Sequence, residues 1–170
     1  MNIFYLSKDP EKAAWFQCDK HIVKMPLETA QLLSTAHVEL DLNQVAYRAT
    51  HKNHPSAVWA RSNRSNYKWL VEHFRALCFE YQDRYGKVHK SFSDHIDALK
   101  IYPENLPDGD FYPPPQCMPD ECKRDDTVLG YRVYYKKKRD EWAARGMPMK
   151  WYGQEAGNEL RMWQIHRSRA

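Results

Sequence analysis

Residues 18–31 carry an imidazole, an amine and a carboxylate at helical spacing: His21, Lys24 and Glu28. On a helix these share one face with Gln31 and Thr35. Glu28 then lies two turns from His21 and one turn from Lys24, about 10 and 6 Å along the axis. Apolar side chains flank the stripe: Ile22, Met25, Leu32, Leu33 and Ala36 on one side, Val23, Leu27 and Ala30 on the other. A carboxylate among apolar neighbours holds its proton longer, and a lysine there loses its proton more easily. Those shifts suit acid/base and nucleophilic work near neutral pH. The same spacing also describes a buried Lys24–Glu28 ion pair beside a core histidine, and the stripe alone leaves both open.

A second set follows at residues 50–55, Thr-His-Lys-Asn-His-Pro, and continues through Trp59, Arg61 and Asn66. His51 and His54 just before a helix start present imidazoles beside free helix N–H groups, an arrangement for a phosphate or a carbonyl-bearing base. A polar loop with surface histidines has the same sequence. A third set is basic and aromatic: Tyr131, Arg132, Tyr134, Tyr135, Lys136, Lys137, Lys138 and Arg139, then Trp142, Trp151 and Tyr152. Such cations track phosphates, and interleaved rings stack on bases. The alternative is a helix with a solvated basic face and an aromatic core face. The pairs Cys18/His21, His51/His54 and Cys117/Cys122 form no recognised zinc arrangement, so no metal and no cofactor is expected. A glycine-rich phosphate loop, a nucleophilic-serine elbow and an H-E-x-x-H pattern are all absent from the sequence, which sets aside the common NTPases, hydrolases and zincins.

The elements that must position these residues read as mostly α. We expect a single compact domain over 1–153 with about five to six helices, and a tail or short helix over 154–170. Residues 2–6 form a short strand or buried extended arm, and Asp9-Pro10 opens a helix over 10–17. A helix from 19 to 37 carries the stripe and is kinked or broken at Pro26. Local helix is expected over 43–48. A helical pattern then runs from 55 to 85, interrupted near 63–65, with core stripe Tyr67, Leu70, Phe74, Leu77, Cys78 and Tyr81, and Gly86 as C-cap. A short helix over 93–100 precedes a Pro-rich loop, 102–124, whose aromatic and thiol content argues for ordered wrapping over the core. The last strong helix spans 126–145.

Composition sets the bounds. The chain has 170 residues, 42% of them hydrophobic and 14% aromatic, with a net charge of +4. A balance this mildly basic permits a polyanionic partner without requiring one. Four cysteines without an export signal, and no long apolar run, lead us to expect free thiols, no membrane partner and a cytoplasmic setting.

Two resemblances rest on these residues. The Cys-Asp-Lys-His…Lys-Met…Glu…Gln stretch, Thr-His-Lys-Asn-His-Pro…Trp-x-Arg, residues 116–120 (Gln-Cys-Met-Pro-Asp) and the Tyr-Arg-x-Tyr-Tyr run resemble a group of phage-encoded proteins, a likeness over most of 1–152 that brings no activity with it. It implies the host-cell cytoplasm as the setting, and it adds Asp120 to the substrate-binding candidates. At greater distance the chain resembles the pyrimidine-dimer DNA glycosylases of the phage endonuclease V type. The His21–Glu28 spacing matches that family's first helix, residues 70–86 its second, and Trp151-Tyr152-Gly153 its C-terminal element. The resemblance implies an amine that attacks the sugar C1′ as a Schiff-base former, with Glu28 as acid/base residue, His21 beside it, and β-elimination to follow. The family exposes its amine on a small second residue; here Asn2 follows Met1, so the amine is that of Met1, Lys24 or Lys20. Leu27 and Gln31 stand where the family has arginines.

The leading expectation is therefore an enzyme, a DNA-acting pyrimidine glycosylase with Schiff-base lyase activity on damaged or modified bases. Its catalytic candidates are Glu28, His21, Lys24 and Met1. Lys20, Gln31, His51, His54, Trp59, Arg61, Asn66 and Asp120 are assigned to substrate binding. Arg132, Lys136, Lys137, Lys138, Arg139, Tyr131, Tyr135 and Trp151 are assigned to nucleic acid. A nucleotide- or nucleoside-processing enzyme using the same pocket is the alternative, and a non-catalytic nucleic-acid-binding module is the third reading.

Overall fold

A computed structural model of the chain describes residues 1–151. Six α-helices build it: α1 (Pro10–Trp15), α2 (Asp19–Asp41), α3 (Pro55–Ala60), α4 (Arg64–Tyr85), α5 (Lys90–Leu99) and α6 (Thr127–Ala144), with a 3-10 turn at Asp120–Cys122. No strand occurs among the described residues, so residues 2–6 are an extended arm. Ile3, Phe4, Tyr5 and Leu6 are all buried. The tail expected over 154–170, with Tyr152 and Gly153, lies outside the described residues.

Helix starts follow side-chain chemistry. Asp9, Asn63 and Asp126 each accept a backbone N–H of the first turn, capping α1, α4 and α6. His54 and His89 do the same for α3 and α5 through a ring nitrogen. Gly86, at φ 65, closes α4 in the left-handed conformation that glycine adopts without strain.

The α2 helix departs from expectation in two ways. It runs unbroken through Pro26 and continues to Asp41. A proline inside a helix costs about 3 kcal/mol. Here one face of both flanking turns is buried: Ile22, Met25, Ala30, Leu32, Leu33 and Ala36 all lie in the core, and α4 packs against the helix. That packing offsets the cost. Residues 43–48 form no helix. Ser34 Oγ donates to the Tyr47 carbonyl at 2.6 Å and the Tyr47 hydroxyl meets Ser91 Oγ at 2.9 Å, which holds the segment in irregular form.

The core lies where α4 meets α1 and α2. Its Tyr67, Leu70, Phe74 and Leu77 are fully enclosed. At the α1 end, buried His73 uses both ring nitrogens, toward the Pro10 carbonyl at 2.9 Å and the Gln17 amide at 3.2 Å. Arg84 ties the α4 C-terminus to Glu80, Asp19 and the carbonyls of Trp15 and Gln17. The loop after α5 is ordered and wraps the core, as its composition suggests; Leu106, Pro114 and Cys122 are buried. The arm passes beneath α6, where Phe4 meets Tyr131, Tyr134 and Tyr135.

Candidate active site

Glu28 sits at mid-length in α2 with its carboxylate 2.9 Å from Lys24 Nζ; the Glu28 side chain is 15% exposed and that of Lys24 69%. Val23 and Leu27 are exposed. The apolar margin expected on that side therefore opens to solvent, and the stripe forms the rim of a surface rather than a closed floor.

Two turns beyond Glu28 on the same face, Thr35 fixes the next segment. Its hydroxyl accepts from the Thr50 N–H at 3.2 Å and reaches the Thr50 carbonyl at 3.4 Å. This lays the loop 50–54 alongside the Glu28 face. Within it His51 takes φ 48, a left-handed value that non-glycine residues adopt only when surrounding contacts impose it. Those contacts are Thr50 Oγ1 to His51 Nδ1 at 2.7 Å, the His54 N–H to the His51 carbonyl at 2.8 Å, and Arg61 Nη1 to the Lys52 carbonyl at 2.8 Å.

His54 Nδ1 accepts the Ser56 N–H at 3.1 Å. A ring nitrogen that accepts carries no proton, so neutral His54 holds its N–H on Nε2. Burial lowers its pKa, the Met1 α-amine and His51 lower it further, and Glu28 opposes them. The amine, both histidines of the loop and the carboxylate thus share one electrostatic neighbourhood. Neutral His54 is a hydrogen-bond donor there, suited to a phosphate or sugar oxygen.

His21 stands apart in character. It is buried, stacked on Phe4 with ring centroids 4.1 Å apart, and its Nδ1 is hydrogen-bonded to the Tyr135 hydroxyl. Burial, with Lys138 and Lys24 nearby, holds its pKa down to about 3. A neutral, enclosed imidazole of this kind supports the arm, and Phe4, at φ 52, bends back over it. The structure places His21 as a pillar beneath the arm.

The remaining candidates divide by burial. Lys20 Nζ lies 4.6 Å from the Trp142 ring, and Lys138 Nζ lies 4.7 Å from Tyr134 and 5.6 Å from Trp142. With exposed Lys136 these form a basic, aromatic ridge where α2 and α6 meet. Lys137 is paired with Glu121 and Glu141, and Arg139 with Asp140. Arg132 donates to the Leu6 carbonyl at 3.0 Å and covers the Phe16 ring. Tyr131, Tyr135 and Trp151 are buried and cannot stack on a base. Trp59 and Asn66 are also buried: the Trp59 indole donates to the Tyr112 carbonyl and Asn66 Oδ1 accepts the Tyr112 N–H, so both hold the Pro-rich loop rather than a ligand. Exposed Asp120 pairs with Lys123 at 2.7 Å. Gln31 is half-buried. Among the described residues no three His, Cys, Asp or Glu side chains are grouped to hold a metal ion, and no helix is long and apolar enough to cross a membrane.

Asn2 and Phe4 shape this region and carried no signal as site residues, while Thr35, placed on the stripe by its spacing, was given no role. Their role comes from long-range contacts of an arm and a loop, which spacing along a helix does not report.

A family model described as pyrimidine dimer DNA glycosylase matches residues 1–94. No curated protein and no solved structure matches the chain. The matched stretch contains the arm, the Glu28 helix and the His51–His54 loop, while the ridge on α6 lies beyond it.

Proposed function

The chain belongs to the pyrimidine dimer DNA glycosylase family, and from that premise we propose that Glu28 and the α-amine of Met1 release a damaged pyrimidine from DNA. In this reading the amine lone pair attacks the sugar C1′ and the bond to the base nitrogen breaks. The base leaves with that electron pair and takes up a proton. The attached amine loses a proton, and its lone pair then breaks the C1′–O4′ bond; O4′ takes up a proton as the C1′–N linkage becomes an iminium. Glu28 moves protons at the sugar, and abstraction of a C2′ proton then expels the 3′ phosphate by β-elimination. His54 donates through Nε2–H to a sugar or phosphate oxygen. Lys20, Lys136 and Lys138 track the strand, with Trp142 and Tyr134 as the rings beside them.

The observation that carries this reading is the path of contacts from the arm to the loop. Asn2, next to Met1, bonds the Cys117 carbonyl, Cys117 Sγ meets Ser56 Oγ, and the Ser56 N–H bonds His54, whose pKa both Met1 and Glu28 influence. This path favours Met1 over the other two amines. Lys24 is engaged by the Glu28 carboxylate, and Lys20 lies over Trp142 toward the ridge. Electrostatic and acid/base groups of this kind contribute about 10²- to 10⁴-fold to a rate.

Base release from DNA carrying pyrimidine dimers, measured under single-turnover conditions, tests the assignment. Glu28→Gln is expected to lower the rate by at least about 10²-fold with DNA affinity kept. Unchanged base release would remove Glu28 from the chemistry. Tight mononucleotide binding with salt-insensitive DNA binding would instead favour the free-nucleotide enzyme, since the salt slope counts phosphate contacts.

A further inference from the structure

The arm that bears Met1 is fastened by a segment outside the matched family residues. Asn2 Nδ2 donates to the Cys117 carbonyl at 2.8 Å, while its Oδ1 accepts the N–H groups of Ile3 at 2.8 Å and Phe4 at 3.2 Å. One acceptor partner and two donor partners fix which way the amide points. These bonds sit one residue from the amine and set the turn that leads into Phe4.

Cys117 also touches the other side of the site. Its Sγ lies 3.6 Å from Ser56 Oγ, and the Ser56 N–H is the donor that fixes the His54 tautomer. The strap around Cys117 is itself anchored to α6. The Tyr131 hydroxyl donates to the Pro115 carbonyl at 2.6 Å, and the Cys117 N–H reaches that hydroxyl at 3.4 Å. Gln116 pairs with the Arg124 backbone at 2.6 and 3.0 Å. Gly130 makes room for this: a Cβ there would come within 2.2 Å of Gln116 Oε1.

We propose that the strap over residues 113–117, acting through the Cys117 carbonyl and Asn2, sets the position of the Met1 amine against His54. Asn2 is then a positioning residue. The proposal rests on the reading of that amine as the nucleophile. A nucleophile displaced by about 1 Å loses about 10²-fold in rate with little change in binding.

Asn2→Gln tests it, because glutamine keeps a neutral amide of a size that hinders methionine removal yet cannot span the same three partners. Mass spectrometry first establishes the terminus of both proteins. Two rates are then read: acetylation of the α-amine in the absence of DNA, and borohydride trapping on abasic DNA. The strap account expects acetylation at least about threefold faster and trapping about tenfold slower, with the DNA dissociation constant within twofold. Gly130→Ala, which displaces the strap without touching the arm, is expected to slow trapping in the unaltered protein and to add nothing in Asn2→Gln. Both rates within twofold of the unaltered protein would overturn the proposal. If the unaltered protein traps no DNA at all, the nucleophile assignment fails, while the acetylation rate still decides whether the strap holds the arm.

Discussion

Glu28 and His21 lie on the same helix seven residues apart, yet burial gives them different chemistry. Glu28 has a lysine partner and access to solvent. An exposed partner of this kind contributes at most about 1 kcal/mol to stability, so Glu28→Gln should fold normally, with an unfolding midpoint close to the unaltered protein. His21 is enclosed, and its hydrogen bond to Tyr135 is part of the core. Tyr135→Phe leaves a buried ring nitrogen without its partner. It should cost about 1–3 kcal/mol in denaturant unfolding, while base release per folded molecule changes little. The stripe spacing was readable in the sequence, and it identified both side chains. What it could not supply was the arm: Phe4 covers His21 from a point far away in the chain, and periodicity along one helix carries no record of that contact.

At the scale of elements, the caps were the most legible feature. Asp9 and Gly86 stand where their chemistry indicated, because a cap is decided by the few residues around it. Pro26 shows the opposite case, since tertiary burial of α2 overrode a local preference for a break. On α6 the sequence located the basic and aromatic run but could not say which rings face outward; Tyr131 and Tyr135 turn into the core, while Tyr134 and Trp142 meet lysines at the surface. The ridge gives a quantitative expectation. Lys20→Ala and Lys138→Ala should each lower the slope of log affinity against log salt by about 1. Lys137→Ala, whose ammonium is already paired with acids, should change it less. Equal slopes in all three would remove the ridge as a phosphate contact.

For the whole molecule, buried neutral histidines link stability to pH. His21 and His73 are held down to about 3 and about 4 by burial, below the ordinary 6.5. Between those values and 6.5 the unfolded chain binds more protons than the folded one, so stability rises with pH across that window and is fully present above it. Lowering the pH from 6.5 should therefore destabilise the fold progressively, with a slope approaching about 2.7 kcal/mol per pH unit if both groups act. Denaturant midpoints at successive pH values read this directly, and a flat profile from 6.5 to 5 would show that neither imidazole is held neutral. The central claim concerns the other half of the molecule, where we propose that the Met1 amine on the arm works with the Glu28 carboxylate on α2. Borohydride reduction during reaction with dimer-containing DNA, followed by peptide mapping of the adduct, tests it most directly. The account predicts a covalent adduct on the α-amine of Met1, formed at least about 10²-fold more slowly in Glu28→Gln. An adduct on a lysine side chain, or base release with no adduct at all, would contradict it.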